Sequence, residues 1–412
     1  MGIQGLTKLL QEECPGAIKE HEFENYTGRK IAIDASMAMY QFLVAVRSGG
    51  PGASQSVLTN EAGEVTSHIQ GMFNRTIRMM AGGIRPVYIF DGKPPQLKGG
   101  ELAKRLAKRA KAESDLAAAK AAEDVDEMNK FSSRLVKVTR QHNEDCKELL
   151  RLMGIPVMDA PCEAEAQCAE LARKGKVFAT ATEDMDALTF RTPKLVRKLT
   201  FSQTKGKEKQ MIMEIDFDNM LAGLELTYIE FVDMCILCGC DYCSTIKGIG
   251  PKTALKLIKE HKTIENVIKH LDKTKYKIPD DWLPQRILKK TLEEPENELE
   301  PDGNDEDYIT LPPLYAQARQ LFLQCEVYPA EEVELKWEAP QEEKLTEFLV
   351  VKMGFSAERV ASGIKRLKEA QMQKSQKRMD SFFTVTATSS STTATGAKRK
   401  ADEAIKGSAK KG

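Results

Sequence analysis

Two carboxylates lie two residues apart behind an apolar run in the segment TATEDMDALTF. Asp184 and Asp186 follow VFATAT, which is typical of a buried strand. Neighbouring carboxylates at the end of a buried strand repel each other and resist desolvation. Alone, the pair could be a helix cap with one spare carboxylate, but it also indicates a site for a cation.

Other carboxylates follow strand-like runs in the same way. KIAID ends at Asp34 and RPVYIFD ends at Asp91. Because ligands of open α/β sheets lie beyond the carboxyl ends of the strands, these acids should reach a common place. A single Asp at a strand end is most often a helix N-cap, and we interpret Asp159 in that way because it precedes Ala-Pro and a helix start. Three such acids together with Asp186 favour a metal site.

Three further carboxylates enlarge the set. Glu163 and Glu165 would diverge by roughly 200° on a regular helix, so both serve one site only from an irregular first turn or with one acting through water. Alternatively, the two glutamates could be present only because the helix dipole stabilises negative side chains near a helix N-terminus. Asp241 in CGCDYC follows the apolar run FVDMCILC. The predicted metal ligands are Asp34, Asp91, Glu163, Glu165, Asp184, Asp186 and Asp241.

The donor set of this predicted site consists of carboxylates without clustered histidine. It suits Mg²⁺ or Mn²⁺ better than Zn²⁺. Sites of this kind support phosphodiester cleavage with two ions about 4 Å apart. A nearby C-x2-C-x-C-x2-C run imitates a zinc set, but its middle spacing is cramped for tetrahedral ligation, so we do not expect zinc there. Its members are Cys235, Cys238, Cys240 and Cys243.

The elements that must position these acids alternate between short β-rich runs and helical patterns. This alternation favours βαβ units, that is, an α/β fold with a mostly parallel central sheet flanked by helices. The predicted strands are Lys30–Asp34, Arg85–Asp91, Gly154–Asp159 and Lys176–Thr182.

The segment Gly99–Gln141 has a strongly helical composition but few apolar side chains. Such a helix cannot bury much of itself, so we predict that it projects from the body, with an interruption near Glu123–Asp126. A solvated surface helix explains the composition by itself, whereas a basic stripe along it could line a phosphate backbone. The stripe consists of Lys104, Arg105, Lys108, Arg109 and Lys111.

A second helical region runs from Thr227 to about Lys290 and contains the glycine-paired turn GIGPK. Its backbone N–H groups, near Gly248 and Gly250, could bind a phosphate with help from Lys252. An ordinary tight helix–turn–helix is the alternative. Lys93, directly after Asp91-Gly92, is close enough in sequence to the acids to assist charge stabilisation.

The chain has 61 basic and 61 acidic residues among 412, but the charges are segregated. The segment Glu293–Asp307 has nine acidic and no basic residues, and the tail from Lys374 has nine basic and three acidic ones. Such blocks are typical of solvated linkers and tails. We expect no membrane helix, no secretory signal and a reduced intracellular compartment for the nine cysteines.

Six ordered motifs resemble those of the eukaryotic flap endonucleases, members of the 5′-nuclease superfamily. They are MGIQGLTKLL, IAIDASMAMYQFL, VYIFDGKPPQLKGGELAKR, APCEAEAQCAEL, TATEDMDALTF and GCDYCSTIKGIGPK, and the resemblance runs from about Met1 to Phe383. It implies a PIN-like 5′-nuclease fold and a structure-specific nuclease that removes 5′ flaps in lagging-strand maturation and long-patch base-excision repair. A 5′-to-3′ exonuclease activity, with 3′-OH and 5′-phosphate products, comes with the family.

The resemblance also implies roles for single residues. Asp34, Asp91, Glu163 and Glu165 would bind the first Mg²⁺, and Asp184, Asp186 and Asp241 the second, with Mn²⁺ as a substitute. Lys93 and Arg105 would act on the scissile phosphate, and Tyr40 would pack against an unpaired nucleotide. The GIGPK turn would hold downstream duplex with a bound K⁺. The implied DNA contacts are Tyr40, Arg47, Arg75, Glu163, Gly239, Asp241, Gly248, Gly250 and Lys252.

The tail segment 376–383 resembles a sliding-clamp (PCNA) binding box, which would place apolar side chains in a pocket of the clamp. Its contact residues would be Gln376, Met379, Phe382 and Phe383. Lys398-Arg399-Lys400 fits nuclear import, so we expect a nuclear monomer, in nucleolus and nucleoplasm, with a mitochondrial share left open. The acidic insertion is longer than the family typically shows, and Cys238 and Cys240 stand where it usually has no thiol.

We therefore expect an N-terminal nuclease region (1–109), a helical arch (99–141) and an internal nuclease region with the helix–turn–helix motif (127–261). A C-terminal helical region (262–372) with the acidic insertion 293–307 precedes a disordered tail (373–412). Two alternatives are a non-catalytic DNA-binding scaffold and a sister nuclease for bubbles or four-way junctions. The complete acid set argues against the scaffold, since a pure binder gains nothing from buried repulsion.

Overall fold

Short apolar runs form the central sheet of the protein. The computed structural model describes residues 2–47, 66–121, 127, 128, 131, 135, 138–199, 211–288 and 308–372. Seven strands form the sheet in the order β1-β7-β6-β5-β2-β3-β4, and β8 and β9 form a separate antiparallel pair. The strands are β1 (Ile18–His21), β2 (Lys30–Asp34), β3 (Arg85–Phe90), β4 (Val157–Asp159), β5 (Ala179–Ala181), β6 (Lys194–Arg197), β7 (Ile212–Asp216), β8 (Gln285–Leu288) and β9 (Tyr308–Leu311).

Five adjacent strands are parallel to one another, namely β6, β5, β2, β3 and β4. Strand β7 is antiparallel to both of its neighbours, β6 and β1. The prediction of a mostly parallel sheet is thus confirmed. The chain builds outwards from β2 to β3 and β4, then returns to place β5 and β6 on the other side of β2. The boundary between β2 and β5 is therefore a topological switch point, where open α/β sheets bind ligands.

Helices cover both faces of the sheet. They are α1 (Leu6–Glu13), α2 (Ala35–Arg47), α3 (Ser67–Ala81), α4 (Gly99–Ala121), α5 (Arg140–Leu152), α6 (Ala164–Arg173), α7 (Asp186–Thr189), α8 (Phe217–Leu224), α9 (Tyr228–Cys238), α10 (Pro251–His261), α11 (Ile264–His270), α12 (Leu314–Leu323), α13 (Glu342–Thr346) and α14 (Ala357–Met372).

Side chains alternate between the two faces along β2. Ile31 and Ile33 join the apolar cluster that includes α3, α5 and α14, while Ala32 joins the cluster that includes α6. This alternation follows from the pleat of a strand. Both faces are buried, which explains why β2 is a continuous apolar run in the sequence.

Two predicted strands are shorter than their apolar runs. The run Lys176–Thr182 contributes only Ala179–Ala181 to the sheet, and Gly154–Asp159 contributes only Val157–Asp159. The second difference has a local cause, since Gly154 has a φ of 73° after α5. That left-handed conformation ends the helix and turns the chain into the strand.

The long basic segment forms the helix α4 with little burial. Its Leu106 is 67% exposed, as expected for a helix without an apolar face. The predicted interruption at Glu123–Asp126 lies outside the described residues. So do the acidic insertion, residues 293–307, and the tail, residues 373–412.

The helical region after Thr227 begins with a capping box, in which Thr227 and Glu230 bond each other's backbone N–H groups. Helix α9 ends at Gly239, whose φ is 111°, and the GIGPK turn places Gly250 as the N-cap of α10. In the part of the chain that the structure describes, no helix is both long and apolar enough to cross a membrane.

Candidate active site

A cleft of about 1000 Å³ lies at the carboxyl ends of β2, β3 and β5. The structure brings all seven predicted carboxylates to this one cleft, although they come from distant parts of the sequence. The seven are Asp34, Asp91, Glu163, Glu165, Asp184, Asp186 and Asp241, and Glu101 and Asp115 of α4 also line the cleft.

Asp34 is held rigidly at the switch point. Its Oδ1 accepts a hydrogen bond from the backbone N–H of Met37 (3.0 Å), and its Oδ2 accepts one from Thr182 Oγ1 (2.9 Å). Burial, followed by the negative charge of Asp91, raises the pKa of Asp34 to about 7. A carboxyl in this position gains most from a nearby cation, which favours its charged form.

Asp91, Glu163 and Glu165 lie close together, and one carboxylate oxygen of each is within 4.8 Å of the other two. Glu163 is the N-cap residue of α6 and Glu165 lies in its first turn. The backbone N–H of Ala164 donates to Asp91 Oδ1 (3.0 Å) and ties the helix start to the end of β3. Both Glu side chains thus reach the same site from the irregular first turn of α6. This is one of the two arrangements that the sequence analysis allowed.

Asp184 and Asp186 lie in the turn from β5 into α7. The N–H of Asp186 donates to Asp184 Oδ1 (3.1 Å), and the N–H of Asp184 donates to Thr182 Oγ1 (3.1 Å). Burial, followed by the charge of Asp184, raises the pKa of Asp186 well above its ordinary value. Asp186 Oδ1 is buried and has no hydrogen-bond partner among the described residues.

Asp241 reaches the cleft from the loop after α9 and contacts α4. Arg105 Nη2 donates to Asp241 Oδ2 at 2.6 Å, and Arg105 Nε donates to Glu101 Oε1 at 3.2 Å. Burial opposes the charge on Arg105, but Asp241 and Glu101 outweigh it and raise the pKa of the guanidinium. The pair fixes α4 over the acids.

Lys98, which the sequence reasoning missed, occupies the position expected of Lys93. Lys98 Nζ donates to both oxygens of Glu163, at 2.9 and 2.8 Å. Lys93 is exposed and is not among the residues that line the cleft. The chain after Lys93 passes through Pro94-Pro95 into a 3₁₀ turn that delivers Lys98 to the acids. The sequence held no signal that separates the two lysines, because the direction of the turn between them decides which one reaches the acids.

Gly2 is a second residue that the sequence reasoning missed. It has a φ of 71°, and a Cβ on it would lie 1.7 Å from Asp184 Oδ1 and 2.5 Å from Asp186 Oδ1. Only glycine fits there, because any side chain would displace the two carboxylates. No sequence pattern distinguishes it from other glycines near chain ends.

The interpretation of Asp159 as a helix cap is wrong. Its Oδ1 pairs with Lys147 Nζ at 2.7 Å, and the N-cap of the following helix is Glu163. The helix begins later than the Ala-Pro signal indicated, because residues 160–162 first pair by backbone hydrogen bonds with residues 90–93 at the end of β3. Asp159 does not line the cleft.

The predicted DNA contacts are spread more widely than the acids. Tyr40 lines the cleft. Arg75 instead stacks over Phe42, 4.0 Å from the ring centroid, and Lys252 Nζ pairs with Glu12 at 2.7 Å. Gly239, Gly248 and Gly250 form the turns on either side of the loop 240–247. The side chain of Arg47 lies outside the described residues, as does the predicted clamp box.

The wall opposite the seven predicted acids is formed by α4, which contributes more basic than acidic side chains to the cleft. Helix α4 contributes Lys108, Arg109 and Lys111 to the cleft beside Arg105. The cleft thus combines an acidic floor with a cationic wall. An anionic polymer is attracted by the wall, but its phosphates can approach the floor only if cations neutralise the carboxylates.

The residues present fit a hard divalent cation. Among the described residues that line the cleft, the side-chain donors near the acids are oxygens, with no histidine or cysteine. Asp186 Oδ1 has no hydrogen-bond partner among the described residues. Burial, followed by the charges of neighbouring acids, raises the pKa values of Asp34, Glu165 and Asp186, which leaves a charge imbalance in their ionised forms. A bound cation removes this imbalance, and oxygen donors select divalent ions of the magnesium and manganese type.

Two family descriptions match the chain. The XPG N-terminal domain matches residues 1–112 and the XPG I-region matches residues 154–241. Flap endonuclease 1 of Phaeodactylum tricornutum is 52% identical over 98% of this chain and 97% of its own length. Flap endonuclease 1 of Homo sapiens is 51% identical over 100% of this chain and 96% of its own length.

Solved structures agree with this match. The flap endonuclease-1 from Methanococcus jannaschii has a TM-score of 0.62 at 28% identity, covering 90% of this chain and 98% of that one. The catalytic core of Rad2 in complex with DNA substrate shares the fold, with a TM-score of 0.58 at 24% identity over 89% of this chain and 99% of that one.

The fold and the cleft thus define a nuclease that acts on DNA through a carboxylate site requiring divalent metal. Within this class, the chain belongs to the flap endonuclease 1 family. The 5′-nuclease fold expected from the motifs is thereby confirmed.

Proposed function

We propose that this chain cleaves 5′ flaps on branched DNA by phosphodiester hydrolysis with two Mg²⁺ ions, leaving a 3′-OH and a 5′-phosphate. A 5′-to-3′ exonuclease activity belongs to the same site. One observation carries the proposal: seven carboxylates converge in one cleft whose opposite wall is a basic helix.

The seven carboxylates would hold the ions in two groups. Asp34, Asp91, Glu163 and Glu165 would bind the first, and Asp184, Asp186 and Asp241 would bind the second, with Mn²⁺ as a substitute. Two bound ions supply an activated water and stabilise the attacking and leaving oxygens of the phosphodiester.

The chain's own cations complete the charge distribution. Lys98 and Arg105 are held at the acids by Glu163 and Asp241, at 2.8 and 2.6 Å. A phosphate that enters the cleft can take over these donors, because once the acids bind metal they are weaker partners for the two side chains. Lys98 and Arg105 would then stabilise negative charge as it develops on the phosphate. We assign to Lys98 the role predicted for Lys93.

DNA would lie along the basic wall and the glycine turns. Helix α4 forms one side of the passage for the flap, and Tyr40 would pack against an unpaired base. The turn at Gly248–Gly250, with Lys252 and a K⁺ ion, would hold downstream duplex by its backbone. Arg47 and Arg75 would contact DNA further along.

The tail would bind a sliding clamp through Gln376, Met379, Phe382 and Phe383. This attachment would bring the nuclease to replication forks and long-patch repair sites in the nucleus. Loss of clamp binding by Phe382→Ala/Phe383→Ala, with flap cleavage unchanged, is the expected result of a pull-down paired with a cleavage assay.

Substrate preference tests the proposal directly. The purified chain is given a 5′ flap, a bubble and a four-way junction, each with Mg²⁺ or with EDTA. We expect fastest cutting of the flap and none in EDTA. Preference for the bubble or the junction would contradict the flap assignment.

A matched pair of variants tests the site. Asp186→Ala should bind the flap without cutting it, because it removes a carboxylate from the floor of the cleft. Asp159→Ala, which removes an acid at a strand end outside the cleft, should cut normally. Near-normal turnover by Asp186→Ala would remove this residue from the metal site.

A further inference from the structure

Two thiols flank Asp241 in the loop after α9. The Sγ atoms of Cys240 and Cys243 are 3.8 Å apart. Both residues are partly exposed, whereas Cys235 and Cys238 are buried in α9. Small oxidants in solution can therefore reach the first pair more easily than the second.

The loop is anchored on both sides of this pair. Before it, the carbonyl of Gly239 accepts a hydrogen bond from the N–H of Gln4 (3.3 Å). After it, the N–H of Ser244 donates to Asp281 Oδ2 (3.0 Å), and Trp282 Nε1 donates to the carbonyl of Ser244 (2.8 Å). A change in the loop between these anchors must be absorbed by residues 240–243.

We propose that Cys240 and Cys243 are a redox modification site, in which a hydroperoxide converts the two thiols to a disulfide and thereby suppresses cleavage. One thiolate attacks the peroxide O–O bond, which yields a sulfenic acid and, from hydrogen peroxide, water. The second thiol then attacks the sulfenic sulfur and displaces a second water as the S–S bond forms. Two thiols are oxidised, one peroxide is reduced, and a thiol reductant reverses the change.

Closing this bond must move the loop. A disulfide requires about 2.05 Å between sulfurs, so the present separation has to shrink by nearly half. The ring of Tyr242 is buried against Phe322, with centroids 5.1 Å apart, and resists displacement. The movement therefore falls on Cys240, Cys243 and the intervening Asp241, whose carboxylate holds Arg105.

The loss of cleavage rests on the proposed role of Asp241 in the metal site, whereas formation of the disulfide does not.

A second thiol pair supplies the control. Cys162, beside Glu163, lies close enough to Cys325 for the two thiols to influence each other's pKa. Cys162 is only 8% exposed, so this pair should react more slowly.

Mapping of the linkage uses the position of Tyr242 between the two cysteines. The full chain is treated with hydrogen peroxide, its remaining thiols are alkylated, and the denatured protein is digested with chymotrypsin, which cleaves after Tyr242. Only a disulfide then keeps the two fragments together, and fragmentation spectra identify the linked cysteines. We expect the Cys240–Cys243 linkage in treated protein and separate fragments after dithiothreitol.

Flap cleavage with Mg²⁺ is measured on portions of the same samples taken before alkylation. Peroxide should slow it by about tenfold or more, because displacements of ~1 Å at a reacting group cost up to about 10²-fold. Dithiothreitol should restore it. Cys243→Ser and Cys240→Ser, two independent variants, should cut normally and resist peroxide, while Cys325→Ser should stay sensitive.

Three results would overturn the proposal: no linked fragment in the peroxide-treated wild-type protein, a linked fragment with unchanged cleavage, or serine variants at Cys240 and Cys243 that lose as much activity to peroxide as the wild-type protein does. The untreated samples test the proposed function separately. If reduced protein does not cut the flap at all, the flap assignment fails, while the linked fragment still reports on the thiol chemistry.

Discussion

Replacement of Lys98 by methionine should abolish most of the cleavage activity, whereas the same change at Lys93 should not. Lys98→Met keeps most of the side-chain length and removes the ammonium, which lies 2.9 and 2.8 Å from the oxygens of Glu163. Lys93→Met is the matched control, since Lys93 is exposed outside the cleft. The two lysines flank the same turn and differ mainly in where they point.

The size of the effect follows from the position of the charge. The side chain of Lys98 is 19% exposed, so its charge acts in a partly dehydrated cleft. A unit charge about 4 Å from another contributes about 4 kcal/mol at an effective dielectric constant of 20. Part of this interaction energy is already present before the reaction, in the ground state. We therefore expect the cleavage rate to fall by about 10²–10³-fold, as for other groups that stabilise developing charge. Lys93→Met should change the rate by less than about threefold, as most surface substitutions do.

Single-turnover cleavage of a 5′ flap separates the chemical effect from binding. Flap affinity, measured by fluorescence anisotropy in EDTA, should change little for either variant, and thermal melting checks that both fold. Lys98→Arg should recover part of the rate because it keeps the charge. A Lys93→Met variant as slow as Lys98→Met, or a Lys98→Met variant near the normal rate, would refute the assignment.

Three further predictions concern other parts of the molecule. Burial, followed by the charge of a neighbouring histidine, lowers the pKa of His68 from 6.5 to about 4. As the pH falls, the imidazole of His68 is protonated in the unfolded chain before it is protonated in the folded protein. The free energy of unfolding should therefore decrease by about 3 kcal/mol between pH 6.5 and pH 4, since each pKa unit corresponds to about 1.4 kcal/mol. Urea unfolding of His68→Leu should show a weaker pH dependence, and an unchanged one would contradict this. Arg319→Met leaves the fully buried Asp233 without its cation and should cost about 3–5 kcal/mol in urea unfolding. Lys174→Met, at an exposed ion pair, should cost less than about 1 kcal/mol, and equal losses would show that burial does not matter. Gly2→Ala should slow flap cleavage without unfolding the protein, since its Cβ would displace two carboxylates of the cleft. A normal rate would show that the chain end can move aside.

Much of the site could be predicted from the sequence because strands have a simple signature. Apolar runs such as IAI and VYIF identify the buried strands, and the residues directly after a parallel strand must lie at its carboxyl end. Asp34, Asp91, Asp184 and Asp186 were therefore predictable as neighbours before any tertiary contact was known. The type of chemistry also followed, since carboxylates without histidine suit hard cations.

Residues on turns and long helices required the tertiary structure. Lys93 and Lys98 are both lysines near the same strand end, and the direction of the turn between them decides which one reaches Glu163. Asp159 resembles the other strand-end acids, but the partner that it meets, Lys147, lies on a different element. Local sequence determines where a strand ends, whereas the direction of a side chain in a turn depends on what distant segments pack beside it.

The sequence by itself thus determined the acids, the parallel sheet that aligns them and the hard cation that they suit, because these depend on residue type and local periodicity. The tertiary structure alone decided that Lys98 and Gly2 belong to the cleft, and that Cys240 and Cys243 face each other beside Asp241. Each of these is a juxtaposition set by long-range packing at ångström distances, which residue types and their spacing do not encode.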